Sequence, residues 1–144
     1  MVRAAAAEGL ASLADPESVA SLGRAMSDSD RLVRERAALA LGRVGSAAAA
    51  AALLRSLGHI GHRARFEALS ALAGAGRARA GEVLLEALAD RDLHTRIAAA
   101  AAIGRTAADP GDPLLTRALT DPDERISGAA ARAFERGADQ GMSR

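Results

Sequence analysis

Residues 28–45 read DSDRLVRERAALALGRVG. Two acids, Asp28 and Asp30, stand ahead of a run in which Val33, Ala37, Leu41 and Val44 recur at i, i+4, i+8 and i+11. Only a helix places such positions on one stripe. Gly42 and Gly45 fall near its end, as Gly74, Gly76 and Gly104 do in later segments, where chain reversal favours glycine. A helix over 31–44 is therefore predicted. The same pattern returns along the chain. Arg34 belongs to a column, Arg3, Arg34, Arg65 and Arg96, whose members lie 31 residues apart and whose next member is Ser127. The preceding position runs Val2, Val33, Ala64, Thr95, Ile126, and the position seven after the Arg runs Leu10, Leu41, Leu72, Ile103, Phe134. A second set, Leu22, Leu53, Leu84 and Leu115, is followed by Met26, Leu57, Leu88 and Leu119. No insertion or deletion interrupts these columns. A fixed period of this length is the signature of a repeat array.

Each period holds two helical patterns, the second of which spans roughly 47–57 with Leu53, Leu54 and Leu57 inward. Asp15-Pro16-Glu17, Asp109-Pro110 and Asp121-Pro122-Asp123-Glu124 read as N-caps followed by proline in the first turn. In the last of these, Glu124 takes the place of a capping-box acid. Hydrophobic residues make up 49% of the 144, most of them alanine, and the only aromatics are Phe66 and Phe134. Such a core must be built from Ala and Leu at short helix–helix distances. Alanine is also the strongest helix former, and the sparse β-branched residues never alternate, so the class is all-α.

Several functions are excluded or disfavoured by composition. The positive charge comes wholly from arginine and the formal net charge is +1, which gives no strong overall pull toward nucleic acid or membrane. The absence of cysteine removes disulfides, thiol nucleophiles and thiolate metal sites. The alanine tracts are broken by Arg, Glu, His or Asp too often to span a bilayer, and Glu8 comes too soon for a secretory signal. A cytoplasmic location is the expectation.

The 28–45 segment resembles the second helix of a HEAT repeat, of the short class named after phycobilisome lyases, and 59–76, 90–107 and 121–137 are weaker copies. The resemblance implies a right-handed α-solenoid of antiparallel helix pairs over residues 1–137, a leading half repeat plus four pairs, with a polar tail at 138–144. About nine helices are expected. Val2, Ala6, Leu10 and Leu13 would face nothing at the N-terminal end, so a truncated gene product is the expectation there.

The resemblance also implies roles. HEAT arginines commonly pair with acids of the inter-helix turns, so Arg3, Arg34, Arg65 and Arg96 are expected to form a structural ladder with Asp28, Asp30, Asp90, Asp92, Asp121 and Asp123. Where His59 and Gly61 replace those acids, Arg65 is expected to lack a partner. His59, His62 and His94 have no cysteine or carboxylate to complete a metal set, and no metal or cofactor is expected. The His-Glu dyads of the di-iron HEAT enzyme deoxyhypusine hydroxylase are missing, because Ile60, Arg63 and Thr95 follow the three histidines. The chain lacks the aromatics on which HEAT-like DNA glycosylases rely and the bulk that holds a tetrapyrrole in a bilin lyase. No phosphate loop or nucleophile elbow appears. An enzyme is not expected.

By the same resemblance, second helices line a concave face. Helical-wheel placement puts Arg36, Leu39, Arg43, Arg63, Phe66, Ile97, Arg105 and Arg132 on it, with Leu32, Glu35, Glu67, Ser70, Gly74, His94, Ala98, Ala101, Arg125, Gly128, Ala129 and Arg136 beside them. Arginines around an aromatic anchor are what protein-binding hot spots tend to contain. The reading is an interaction scaffold for an acidic or mixed acidic–apolar protein segment. The alternatives are a nucleic-acid-binding array using the same arginines and, behind it, a bilin lyase-like subunit. Surface arginines also commonly do no more than solvate a face.

Overall fold

The computed structural model describes residues 2–10 and 15–142, with the side chains of 8, 10, 77–79 and 142 outside the description. The described residues form nine α-helices: α1 (Val2–Leu10), α2 (Pro16–Ala25), α3 (Arg31–Val44), α4 (Ala47–Ser56), α5 (His62–Ala75), α6 (Arg77–Leu88), α7 (Leu93–Thr106), α8 (Pro113–Leu119) and α9 (Glu124–Met142). One 3₁₀ turn (Leu57–His59) follows α4, and no strand occurs among the described residues. The protein is an all-α solenoid in two layers. Helices α1, α3, α5, α7 and α9 stack in sequence to make one, and α2, α4, α6 and α8 make the other.

Caps set the helix boundaries. The turns before α3, α7 and α9 share one device, an Asp-x-Asp in which the first carboxylate accepts the second residue's N–H. These bonds run from Asp30 to Asp28 (2.8 Å), Asp92 to Asp90 (2.8 Å) and Asp123 to Asp121 (2.9 Å). The second Asp then accepts from the helix's own first turn, from Leu32, His94 and Arg125. This corrects the reading of 121–124. Asp123 does the capping, Pro122 lies outside the helix, and Glu124 opens it instead of completing a capping box. The reading of 109–110 shifts likewise, because α8 is capped by Asp112 with Pro113 in its first turn, while Asp109 accepts from Gly111 in the preceding loop. Asp15 caps α2 as expected, accepting from the Ser18 N–H.

The core is alanine and leucine. Leu22, Leu53, Leu84 and Leu115 of the outer layer and Leu41, Leu72 and Ile103 of the inner one are fully buried, with Ala37, Ala68, Ala99 and Ala130 between them. Two glycines expected at helix ends serve the packing instead. A Cβ on Gly42 would collide with the Ala68 carbonyl oxygen across α3 and α5, and one on Gly104 with that of Ala130 across α7 and α9. Gly45 does end α3 in the left-handed conformation, with φ 64°. These approaches make the odd-numbered layer the tighter one, while α6 and α8 barely touch. The odd-numbered layer is the one that the resemblance to HEAT repeats expects on the concave face.

At the N-terminal end Val2 and Ala6 are exposed, as expected, while Ala4 and Ala7 turn inward toward α3; the Leu10 side chain and Leu13 lie outside the described residues. At the other end, the segment expected as a polar tail continues α9 through Met142. No described helix is long and apolar enough to cross a membrane.

Candidate functional site on the concave face

The arginine column is structural, and it points forward. Arg3 donates through Nε (3.0 Å) and Nη2 (3.3 Å) to Asp28, in the turn of the next repeat. Arg65 donates through Nη1 to Asp92 (3.0 Å), again one repeat on, and through Nε to the carbonyls of Leu57 (2.7 Å) and Ile60 (3.1 Å). Arg65 is the buried member, 7% exposed. The expectation that Arg65 lacks a partner is overturned. Its carboxylate comes from the following turn, so the missing acids at 59 and 61 concern Arg34. That residue donates to the His59 carbonyl instead (2.8 Å), and to the Asp28 and Ser29 carbonyls of its own turn. Arg96 likewise donates to the carbonyls of Asp90 and Arg91, and its charge also acts on Asp123 ahead of it.

The turn acids are held ionised. The Asp30 N–H, ahead of the Arg3 guanidinium, lowers the Asp28 carboxyl below its usual range. Partial burial pushes Asp92 up, but the His94 N–H and the Arg65 guanidinium outweigh it and the net direction is down. Asp123 falls furthest, to about 2, mainly through the Arg125 side chain and backbone N–H. Hydrogen bonds to the charged form favour that form.

Three shallow grooves cross this face, over the α3/α5, α5/α7 and α7/α9 seams. The α3/α5 groove, about 320 Å³, is lined by Arg31, Leu32, Glu35, Arg36, Leu39, Arg63, Ala64 and Glu67. It is charged but largely neutralised from within, because Arg31 pairs with Glu35 (2.7 Å) and Arg63 with Glu67 (2.8 Å) one helical turn on. The α5/α7 groove, also about 320 Å³, is lined by His62, Phe66, His94, Ile97, Ala98 and Ala101. The α7/α9 groove, about 260 Å³, takes Phe66 and Ala101 again, then Arg105, Ala133, Arg136, Gly137 and Gln140.

The structure brings together six of the eight residues read onto this face. Arg36, Leu39 and Arg63 share the first groove, Phe66 and Ile97 the second, and Phe66 and Arg105 the third. The Arg105 guanidinium lies over the Phe66 ring, 5.4 Å from its centroid. Arg43, at the last turn of α3, and Arg132, whose guanidinium lies against Gly128, are exposed but line none of the three. Of the neighbouring positions, Ser70 and Ala129 are buried and present nothing.

Sequence reading puts His94 on this face but misses His62 and Gln140. His62 and His94 meet edge to face, with ring centroids 3.8 Å apart, and wall the middle groove together. Their positions in adjacent repeats differ by one register step, so no column links them. Gln140 was assigned to a tail, and only the continuation of α9 brings it to the third groove. No group of three or more His, Asp or Glu able to hold a metal occurs among the described residues.

The HEAT-repeat family model matches the chain twice, over residues 1–73 and 62–135. No curated protein matches it. The two matches take in both layers and the first two grooves, with Arg136, Gly137 and Gln140 of the third lying beyond them, and the chain belongs to the HEAT-repeat family.

Proposed function

We propose that this protein is a non-catalytic interaction scaffold that takes an acidic or mixed acidic–apolar segment of a partner protein on its concave face. HEAT repeats generally mediate protein interactions. The observation that carries the finer reading is the pairing of an apolar groove at Phe66 and Ile97 with guanidiniums beside it. Among the described residues, neither Arg105 nor Arg136 is bonded to a carboxylate. Arginine recognises carboxylates by paired N–H donors, and an apolar centre with a polar rim is the usual anatomy of a protein interface. The narrower likeness to phycobilisome-lyase repeats adds no bilin site to this reading, since the grooves are shallow and Phe66 is the one phenylalanine, tyrosine or tryptophan lining them.

Affinity capture from an extract of the native cells tests the proposal, with the Arg36→Glu/Arg105→Glu protein as control and nuclease-treated lanes alongside. A protein retained by the wild type and lost from the control supports it. Nucleic acid recovered instead, and removed by nuclease, supports a phosphate-binding array, which would also show a steep loss of affinity with salt. The same proteins on both baits would reject the concave face as the site.

A further inference from the structure

We infer that the α5/α7 and α7/α9 grooves act as one two-point site, in which a bulky apolar side chain enters between Phe66 and Ile97 while a carboxylate two or three residues away is held by Arg105 and Arg136. The inference rests on the scaffold reading and narrows it to an order of chemistry along the face. The occupant is an extended segment of another protein carrying those two side chains.

Contiguity comes first. Phe66 and Ala101 line both grooves, so the two adjoin at these residues. The floor is low because its residues are small: Ala98, Ala101, Ala133 and Gly137. Gly137 has a packing reason to be small. A Cβ there would stand 3.3 Å from the Arg105 carbonyl oxygen, a tight contact between α9 and the end of α7.

Charge then sets the direction. The α3/α5 groove carries its own counter-ions, Glu35 and Glu67, and offers an incoming carboxylate little uncompensated charge. No acid lines the α7/α9 groove. Arg136 donates through Nε to the Arg132 carbonyl (3.3 Å), and neither of its terminal nitrogens has a bonded partner among the described residues. Arg105 rests on the Phe66 ring, a contact that restrains the guanidinium without using up its N–H donors. Two restrained guanidiniums on one side of an apolar groove suit a carboxylate there and oppose one at the other side. Arg105 stands 5.4 Å from the Phe66 centroid and eight residues, about 12 Å along the helix, from Ile97 on α7. A side chain seated between Phe66 and Ile97 therefore lies between those two distances from the guanidinium, a span that extended chain at about 3.3 Å per residue covers in two or three residues.

The test is a random dodecamer peptide-display library panned on the full chain. The enriched consensus is then made as a fluorescein-labelled peptide and titrated by anisotropy against exposed-site variants confirmed helical by circular dichroism. The expected consensus holds one large apolar residue with Asp or Glu two or three positions away. Its affinity should fall about tenfold or more for Arg105→Glu and for Arg136→Glu, and less than about twofold for Arg36→Glu. A consensus that depends on Arg36 and ignores Arg105 would overturn the two-point site while leaving the concave-face scaffold intact. Peptides indifferent to all three variants would remove both. A consensus without an acid, or no enrichment at all, counts against the two-point site.

Discussion

Replacing Arg65 by methionine should cost far more than the same change at Arg34, although the two occupy equivalent positions 31 residues apart. Arg65 is 7% exposed and satisfies the Leu57 and Ile60 carbonyls and the Asp92 carboxylate. Methionine keeps much of the stem's volume and removes every donor. The Leu57 and Ile60 carbonyls then stay buried without their donor, and Asp92 loses its cation. The Asp92 side chain is 39% exposed and water screens its lost cation, so the cost comes mainly from the two buried carbonyls, at about 1–3 kcal/mol each and about 3–5 kcal/mol together. Arg34 also donates to three carbonyls, those of His59, Asp28 and Ser29, but at a more exposed edge where water can replace it. The cost there is about 1 kcal/mol. The gap of roughly 2–4 kcal/mol corresponds to about 5–15 °C in Tm for a chain of this size. Urea titrations followed by far-UV circular dichroism would measure both, with an unchanged m-value as the check that only stability moved. Asp92→Asn combined with Arg65→Met should lose less than the sum of the two single changes, since they share one bond. Equal costs for Arg65→Met and Arg34→Met, within about 1 kcal/mol, would refute the forward-pointing ladder as a source of stability.

Further outcomes follow from the packing and the turns. Gly104→Ala should destabilise by about 1–3 kcal/mol because the new methyl meets the Ala130 carbonyl and the Ala133 Cβ, whereas Gly74→Ala, with open space around it, should stabilise by up to about 1 kcal/mol; thermal melts of the two variants give the comparison. The turn carboxylates make the fold acid-sensitive. Asp15, Asp28, Asp92 and Asp123 all sit below the ordinary 3.8 in the folded state, so their contribution is complete above that value and drains away as pH falls, for Asp123 down to about 2. Melting temperature should therefore be flat from pH 7 to about 5 and drop below 4, and Asp123→Asn should flatten the lowest part of that curve.

Most of the architecture was legible in the sequence because burial in a solenoid repeats with the chain. Leu22, Leu53, Leu84 and Leu115 are buried for one shared reason, and the fixed period exposes it. What was not legible is whatever depends on which neighbour a residue meets. Arg65 lies six and four residues after turn positions 59 and 61, neither of them acidic, and spacing alone gives no sign that its carboxylate is Asp92, 27 residues on. The glycines were ambiguous in the same way. Gly42 and Gly45 look alike in sequence, yet one admits a neighbouring helix and the other reverses the chain. Proline misled at 110 and 122, since Asp-Pro fits a cap but the Asp at 112 and at 123 captures the helix N–H groups instead. The concave residues were found by helical periodicity. Their division into a self-neutralised groove, an apolar one and a cationic one needed side-chain partners that no periodicity encodes.

The most direct test of the concave-face account is hydrogen exchange on the protein alone and bound to its captured partner, read out by mass spectrometry over peptides from each layer. The account predicts that protection gained on binding concentrates in α5, α7 and the second half of α9, around Phe66, Ile97, Arg105 and Arg136. Protection gained instead in α2 and α4, around the outer groove at Arg24 and Arg55, would place the partner on the opposite layer and contradict it.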